Sequence, residues 1–202
     1  MKRVTLSGIG RLSAATYGPS GGRSQLPVSC LTSALVAGAG AAVPADDKEP
    51  AVPHIARLLA IEDILLDVEV AGKKELIDEI GRHMQQAHAL PLESVVLSLS
   101  HREQIGSTGL GQGVAIPHAR VKSLDHVQAA YLRLKSPIPF DAPDGKPVID
   151  VLVLLVPKLA AEEHLTILAE SAQMFSDRRL RDRLHLCGSP MEVKRLIDGW
   201  AP

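Results

Sequence analysis

A glycine-rich segment that ends in Pro117-His118 is the part of the chain best suited to chemistry. Gly109, Gly111 and Gly113 recur at every second position, and glycine lets backbone amides come close to an anion. Pro117 restricts the backbone just before His118, so we expect the imidazole at a defined strand end. Imidazole can act as nucleophile, base or ligand near neutral pH. The segment therefore predicts a phosphate cradle directed at one histidine.

Two common glycine-rich motifs do not fit this segment. The alternation of Gly109, Gly111 and Gly113 differs from the Gly-x-Gly-x-x-Gly spacing of dinucleotide-binding loops, and no Gly-Lys-Ser/Thr follows as in a P-loop. A histidine after a strand is by itself more often structural than chemical, but the glycines before His118 favour chemistry. A metal site built on His118 and His164 lacks a third ligand at suitable spacing, so no metal is expected.

Residues 102–118 also show a longer order of residue types, an Arg-Glu pair followed by Ser-Thr-Gly-x-Gly-x-Gly-x-Ala-x-Pro-His. This order resembles the active-site stretch of the enzyme IIA proteins of the fructose/mannitol class, from the bacterial phosphoenolpyruvate-dependent phosphotransferase system. Residues 136–148, 154–157 and 163–165 are similar to further blocks of that family, in the family's order. The resemblance begins near Ile55, extends to the C-terminus and is strongest to the nitrogen-regulatory members.

The resemblance implies roles for the polar residues of the motif. His118 matches the histidine that accepts the phosphoryl group, and His164 matches a second histidine close to it. Arg102 matches an arginine near the phosphate, where a planar guanidinium suits two-point contact. Ser107 and Thr108 are expected to line the phosphate site together with the three glycines. Without the resemblance, each residue has a structural interpretation. Arg102 could be a cation at a helix end, and His164 could be a solvated residue at a helix start. Ser107 and Thr108 could belong to an ordinary turn.

The resemblance further implies a phosphohistidine carrier that accepts phosphate from an HPr-like protein on His118 and forms a tele-phosphohistidine. No metal, nucleotide or other cofactor is expected. The chain shows neither a membrane-spanning domain nor a cysteine-bearing IIB domain, which favours a nitrogen-branch regulatory output that target proteins recognise. Two alternatives remain open, a fructose or mannitol enzyme IIA component that passes phosphate to a separate IIB protein, and a non-catalytic anion-binding module.

The composition fits one globular domain of the cytoplasm. The chain has 202 residues, and 46% of them are hydrophobic, which is enough for one substantial core. A net charge of −1 and an aromatic content of 2% argue against a nucleic-acid partner. Cys30 and Cys187 are too few for a disulfide framework and lack metal-ligand spacing, which indicates a reducing compartment. No stretch is apolar enough to predict insertion into a membrane.

The first 54 residues differ from the rest in composition. No Asp or Glu precedes Asp46, whereas arginines are scattered among Gly, Ser and Ala. Segment 1–54 is therefore predicted to be a disordered extension or a product of a start codon assigned too early, and 55–202 to be an enzyme IIA type-2 domain. An export signal cleaved after a Val-Pro-Ala sequence is the alternative, but its apolar run is weak and lies far from the arginines.

Hydrophobic periodicity predicts helices that alternate with strands. Helices are expected at 75–88, from Pro91 to the Arg102-Glu103 pair, from Glu162 onward and at 189–197. Strands are expected at 114–116, 127–134 and 148–156, the last one buried on both sides. These elements predict an α/β fold with helices on both faces of the sheet, in a single domain. The family resemblance adds that the β-sheet is mixed.

Further expectations concern the burial of single side chains. Alternation in 127–134 predicts a strand with one covered face, and it puts Tyr131 on the open face. Leu165 is expected on the apolar stripe of its helix. The basic run 178–183 is expected to form a solvated helix face. Six further histidines carry no motif and are expected at the surface or its boundary: His54, His83, His88, His101, His126 and His185.

Overall fold

The structure of the protein is a computed structural model. It describes residues 53–122, 124–158 and 163–201. The predicted extension 1–54 lies almost wholly outside the described residues, so its character stays a prediction. Internal contacts divide the chain into the units Met1–Ala45 and Asp46–Pro202, and every residue described below belongs to the second unit.

Helices and strands alternate along the described residues. The helices are α1 (His54–Leu58), α2 (Lys73–His88), α3 (Leu92–Ile105), α4 (Glu163–Ser176), α5 (Arg178–Leu184) and α6 (Pro190–Asp198). The strands are β1 (Ile64–Val68), β2 (Gly109–Gly111), β3 (Val114–Ala115), β4 (His118–Val121), β5 (Gln128–Ile138) and β6 (Val148–Pro157). Periodicity misses α1, β1, β2 and β4 because each has five residues or fewer. No helix in the described ranges has the length and hydropathy needed to span a membrane.

One mixed sheet organises the domain, with β6 at its centre. β5 pairs antiparallel with β6 and parallel with β1, while β3 and β4 both lie parallel to β6 on its other side. β2 completes the sheet as the antiparallel partner of β3. Helices α1, α4, α5 and α6 pack on one face, and α2 and α3 pack on the other. The prediction of a single-domain α/β fold with a mixed sheet between two helical layers is confirmed.

The central strand β6 is buried on both faces, as its apolar run predicts. Its acidic residue, Asp150, is 1% exposed; it accepts a hydrogen bond from the Tyr131 hydroxyl at 2.7 Å and contacts His185 Nε2 at 2.7 Å. The prediction that Tyr131 lies on an open face of β5 is wrong, because its side chain is fully buried. Its ring stacks on Phe175 with 6.2 Å between centroids, so α4 covers this face.

The apolar stripe of α4 is rotated from the predicted one. Leu165 is predicted inward but is 60% exposed. The buried positions of the helix include Ile167, Ser171 and Phe175, which recur at helical spacing on one face. Ser171 interrupts the apolar pattern of this stripe, yet its hydroxyl donates to the Ile167 carbonyl at 2.7 Å and is therefore satisfied in the core. Leu165 lies outside this buried stripe, so the prediction that it points inward is wrong.

The basic run 178–183 contains a buried arginine. Arg181 is 6% exposed, which contradicts the prediction of a fully solvated face. Its guanidinium donates to the Phe175 carbonyl at 2.5 Å and to the side-chain oxygen of Gln112. These acceptors compensate the burial of the charge, and they tie α5 to the hairpin of β2 and β3. The other arginines of the run are exposed, as predicted.

Candidate functional site

The sheet positions His118 at a break between β3 and β4. β3 ends with Ala115 opposite Val151 of β6, and β4 begins with His118 opposite Leu154 of the same strand. Within the break, the Leu154 amide donates to the Pro117 carbonyl at 2.9 Å. The strand predicted to stop at the proline thus resumes after it, and His118 begins a strand rather than following one.

The break also fixes the protonation of the His118 ring. Nδ1 lies 2.9 Å from the carbonyl oxygen of Ile116, and a carbonyl oxygen can only accept a hydrogen bond. The proton of the neutral imidazole is therefore on Nδ1, which leaves a lone pair on Nε2. Arg102 donates to this nitrogen through Nε at 3.1 Å. Nε2 is the atom available as a nucleophile, and its phosphorylation would give the tele-phosphohistidine that the family resemblance implies.

Burial lowers the pKa of His118 below the ordinary value of 6.5, and the nearby Arg102 and His164 act in the same direction. The hydrogen bond to Ile116 and the charge of Glu103 oppose this shift without cancelling it. Because the folded pKa is depressed, the neutral ring favours the folded state above pH 6.5, and this contribution is lost as the pH falls through the folded pKa. The nucleophilic form therefore persists to lower pH than in a free histidine.

We expect the imidazole of His118 to titrate below pH 6.5. The measurement is a pH titration of the ring nitrogens by NMR on uniformly ¹⁵N-labelled protein, with the signal assigned by its absence in His118→Ala. The spectrum below the midpoint should change from one protonated and one bare nitrogen to two protonated ones. A midpoint at or above 6.5 would show that burial does not govern this ring.

Arg102 lies in the last turn of α3 and is held beside the imidazole by two contacts. Besides its Nε contact with His118, its Nη1 donates to the Gly106 carbonyl at 2.8 Å. These two acceptors fix the plane of the guanidinium next to the nucleophilic nitrogen. The structure thus brings Arg102 and His118 together. A helix-end cation that only stabilises the macrodipole would require neither contact.

Glu103, the second member of the Arg-Glu pair, holds the loop that follows α3. Its carboxylate accepts hydrogen bonds from the Thr108 amide at 3.1 Å and the Thr108 hydroxyl at 2.6 Å. Lys73 of α2 binds the same carboxylate at 2.8 Å, and its ammonium lies 4.5 Å from the centre of the Phe140 ring. Sequence reasoning missed these roles, because Lys73 lies 30 residues from its partner and belongs to no motif.

The residues next to Thr108 are also held by internal contacts. The Ser107 hydroxyl donates to a carbonyl in the loop between β5 and β6 at 2.6 Å, and it accepts from the Gly109 amide at 3.1 Å. Gly109 lies so close to Ala142 that a Cβ atom would come within 2.9 Å of the alanine Cβ. Residues 107–109 line a cavity of about 360 Å³ that extends to the His118 ring, so the structure brings these three residues to the site.

Gly111 and Gly113 have a different role in the structure. They flank Gln112 in the hairpin of β2 and β3 with φ angles of 89° and 84°, in the left-handed region that favours glycine. The Gln112 amide donates to the Asp144 carboxylate at 2.7 Å. Neither glycine lines the two cavities that contain His118. The structure therefore explains both glycines by the turn, and their contact with phosphate stays a prediction.

His164, near the start of α4, shares a larger cavity with the imidazole of His118. This cavity of about 650 Å³ is lined by Arg102 and both histidines. Nδ1 of His164 is buried and has no hydrogen-bond partner among the described residues, unlike the ring of a solvated helix-start residue. Leu97 and Ile105 also line the cavity and are 68% and 73% exposed. Exposed apolar side chains thus border the cavity that contains Arg102 and the two histidines.

Comparison with known proteins places the chain in a family. The family model described as "Phosphoenolpyruvate-dependent sugar phosphotransferase system, EIIA 2" matches residues 57–199. The nitrogen regulatory protein of Pseudomonas aeruginosa is 41% identical over 123 residues, which cover 59% of this chain and 79% of the relative. The nitrogen regulatory protein of Escherichia coli is 33% identical over 132 residues, which cover 64% of this chain and 80% of the relative.

Comparison with solved structures agrees with this family assignment. The crystal structure of nitrogen regulatory protein IIA-Ntr from Neisseria meningitidis has a TM-score of 0.68 and 42% identity, and the match covers 71% of this chain and 98% of the other. The IIA mannitol structure from Escherichia coli, with a TM-score of 0.59 and 21% identity over 68% of this chain and 97% of the other, shares the fold. The predicted resemblance to the nitrogen-regulatory members is confirmed. The chain belongs to the EIIA 2 family of the phosphoenolpyruvate-dependent sugar phosphotransferase system.

Proposed function

We propose that the protein is a phosphocarrier in which Nε2 of His118 accepts a phosphoryl group from a phosphohistidine of an HPr-like protein. The observation that carries this proposal is the state of the imidazole: the Ile116 carbonyl holds the proton on Nδ1, and the lone pair of Nε2 faces Arg102. A half-buried imidazole with a lowered pKa is neutral, and therefore nucleophilic, at physiological pH.

The proposed transfer exchanges one P–N bond for another. The bond from phosphorus to the donor imidazole breaks as the bond to Nε2 of His118 forms, and the donor ring leaves with its electron pair. Such a transfer requires positioning and stabilisation of the phosphoryl charge more than covalent machinery. Arg102 would move its Nε–H from Nε2 to a phosphoryl oxygen, and His164 would face the group from the same cavity. Ser107, Thr108 and Gly109 border His118 and are proposed as further phosphate contacts, for which their donors would leave the internal acceptors described above.

The rim of the cavity supports a protein donor rather than a small anion. Leu97 and Ile105 expose most of their side chains beside the site, and Leu165 does so next to His164. Exposed apolar groups around a polar site are typical of surfaces that contact another protein. A free anion such as phosphate would gain nothing from them. We place the reaction in the cytoplasm, and it requires no metal, nucleotide or other cofactor.

The proposed output is nitrogen-branch regulation, in which target proteins distinguish the phosphorylated from the unphosphorylated chain. The relatives named nitrogen regulatory protein support this assignment, since the chain spans 79% of the Pseudomonas aeruginosa protein. By contrast, it spans 21% of the fructose-specific EIIABC component of Bacillus subtilis, at 29% identity. Transfer to a separate IIB protein is the competing output, and the experiment below includes it.

The test is phosphorylation with purified components. The chain is incubated with labelled phosphoenolpyruvate, enzyme I and an HPr-like protein, and the label retained on it is measured. Retention that is stable in alkali and labile in acid is expected, as for a phosphohistidine. Labelling that occurs without enzyme I would contradict the phosphocarrier, and so would the absence of any retained label. Only the anion-binding module would then remain. Purified IIB proteins are then added: rapid and complete loss of label to a IIB protein would favour sugar uptake over regulation.

Arg102→Lys is expected to fold normally and to accept phosphate about tenfold or more slowly. The charge survives, but lysine lacks the planar fork that reaches both the Gly106 carbonyl and the imidazole, and a weakened contact of about 1.4 kcal/mol corresponds to that factor. The measurement is the initial rate of labelling together with the melting temperature. Arg57→Lys, at an exposed position of α1, is the matched control. A wild-type rate in Arg102→Lys would reduce this arginine to a helix-end cation.

A further inference from the structure

A second polar cluster lies away from the His118 site, between α2 and the segment before β1. Asp63 closes the turn that leads into β1, while His83 and His88 come from the last two turns of α2. The Nε2 atoms of the two histidines lie 2.8 Å and 2.7 Å from the same Asp63 oxygen, Oδ1. One ligand-capable atom from each residue lies within 4.8 Å of the other two. β1 and β4 lie on opposite sides of the β5–β6 pair, so the cluster is separate from the site described above.

Hydrogen bonds satisfy only one of the two carboxylate oxygens of Asp63. Asp63 is 1% exposed, and both imidazoles contact its Oδ1. The other oxygen, Oδ2, is buried and has no hydrogen-bond partner among the described residues. A buried carboxylate oxygen without a partner is costly, and a bound ion is one of the usual reasons for such an exception. A cation coordinated by this carboxylate would neutralise the charge that Oδ2 shares with Oδ1.

The donor set has the chemistry of a transition-metal site. Two imidazole nitrogens and one carboxylate oxygen are ligands that suit Zn²⁺, and three protein ligands leave a fourth position for water. The rings of His83 and His88 meet at 79°, with centroids 6.3 Å apart, so their nitrogens approach the carboxylate from different directions. Ligand atoms around tetrahedral Zn²⁺ lie about 3.3 Å apart, so each imidazole nitrogen would move about 0.5 Å away from Oδ1 when the ion binds.

Access and position are also suitable for an exchangeable ion. The side chains of His83 and His88 are 12% and 18% exposed, whereas Asp63 is enclosed. The carboxylate therefore forms the floor, and the imidazoles form the rim. We propose that Asp63, His83 and His88 bind a divalent transition-metal ion, with Zn²⁺ as the best-fitting ion. The bound ion would fasten the C-terminal end of α2 to the start of β1.

The first test is a calorimetric titration of the full chain with ZnCl₂, after a chelator has removed any metal that was purified with the protein. One equivalent is expected to bind to the wild type. Asp63→Asn and His83→Gln each remove a ligand and are expected to weaken this binding by about 100-fold or more, since even partners outside the coordination shell contribute 10–100-fold. His126→Gln, at an exposed histidine between β4 and β5, is the matched control and should bind as the wild type does.

His118→Ala tests whether Zn²⁺ binds at the His118 site instead. This variant keeps both His83 and His88, so it is expected to bind one equivalent of Zn²⁺ as the wild type does. Loss of Zn²⁺ binding in His118→Ala with retention in Asp63→Asn would overturn the proposal, as would a wild type that binds no Zn²⁺. The same holds for equal weakening in His126→Gln and His83→Gln, because the binding would then be non-specific.

A second measurement does not depend on the folding of any variant. The wild-type melting temperature should rise by about 5–10 °C when free Zn²⁺ is about 100 times the dissociation constant, because the ion binds only the folded arrangement. Mg²⁺, which prefers oxygen ligands, should leave it unchanged at the same concentration. An equal rise with both ions, or no rise with Zn²⁺, would contradict a site built from two imidazoles and one carboxylate.

Discussion

His118→Ala is expected to abolish the acid-labile, alkali-stable phosphate on this protein. The substitution removes Nε2 of that ring, whose lone pair is fixed by the tautomer that the Ile116 carbonyl selects. The fold should survive, because the imidazole is half-buried at the start of a short strand rather than in either core. Labelling with phosphoenolpyruvate, enzyme I and the HPr-like protein, followed by mapping of the labelled peptide, measures the effect. His126→Ala controls for the general loss of a histidine.

His164→Ala should give a different result from the same assay. The acceptor remains, so the protein should still be labelled on the peptide that contains His118. If His164 stabilises the phosphoryl oxygens as a single oxyanion donor does, its loss costs about 2–4 kcal/mol in the transition state, which slows transfer by about 30- to 900-fold. Label that persists in His118→Ala and disappears in His164→Ala would reverse the two roles. Equal rates in His164→Ala and the wild type would make that histidine a bystander.

Glu103→Gln is expected to have the largest effect on stability among the residues of the site. The Glu103 side chain is 8% exposed, and its carboxylate binds Lys73 and both donors of Thr108. The amide keeps the shape, but it leaves Lys73 with only the exposed Asp141 carboxylate, at 2.9 Å, and it turns an N–H₂ group towards donors. Loss of these charge-assisted hydrogen bonds costs about 2 kcal/mol, or about 4–8 °C in melting temperature for a domain of this size.

The effect of Glu103→Gln is measured by urea unfolding and by the rate of labelling. The rate should also fall, because the loop that carries Thr108 borders the cavity beside His118. Glu93→Gln, at an exposed position in the first turn of the same helix, is the matched control and should change the unfolding free energy by less than about 1 kcal/mol. Similar losses of stability in the two variants would show that helix charge, and not the buried network, is responsible.

The features that can be predicted from the sequence are those determined by residues that are close together in the chain. The uninterrupted apolar run of β6 specifies a strand buried on both sides, and the helical spacing in 75–88 specifies α2. The order of residues from Arg102 to His118 specifies the family, and with it the mixed sheet. These features are predictable because the residues that determine them are neighbours in the chain.

The wrong or missing predictions depend on partners that are distant in the chain. Tyr131 is buried because Phe175 from a later helix covers it. Arg181 is buried because Gln112, 69 residues away, accepts from its guanidinium. The contacts of Asp63 with two histidines have no recognisable motif spacing, since they arise only when α2 folds back on the start of β1. Periodicity contains no information about such pairs, and the fold creates them.

The place of β6 in the chain has a consequence for biosynthesis. Among the described residues, β6 is the last strand to be synthesised, yet β3, β4 and β5 all pair with it. A nascent chain that has just released His118 from the ribosome has no neighbour for β4, and Leu154, which anchors the Pro117 carbonyl, does not yet exist. Such non-local pairing is the slow part of folding. The proposed nucleophile would therefore acquire its geometry only when the sheet is complete.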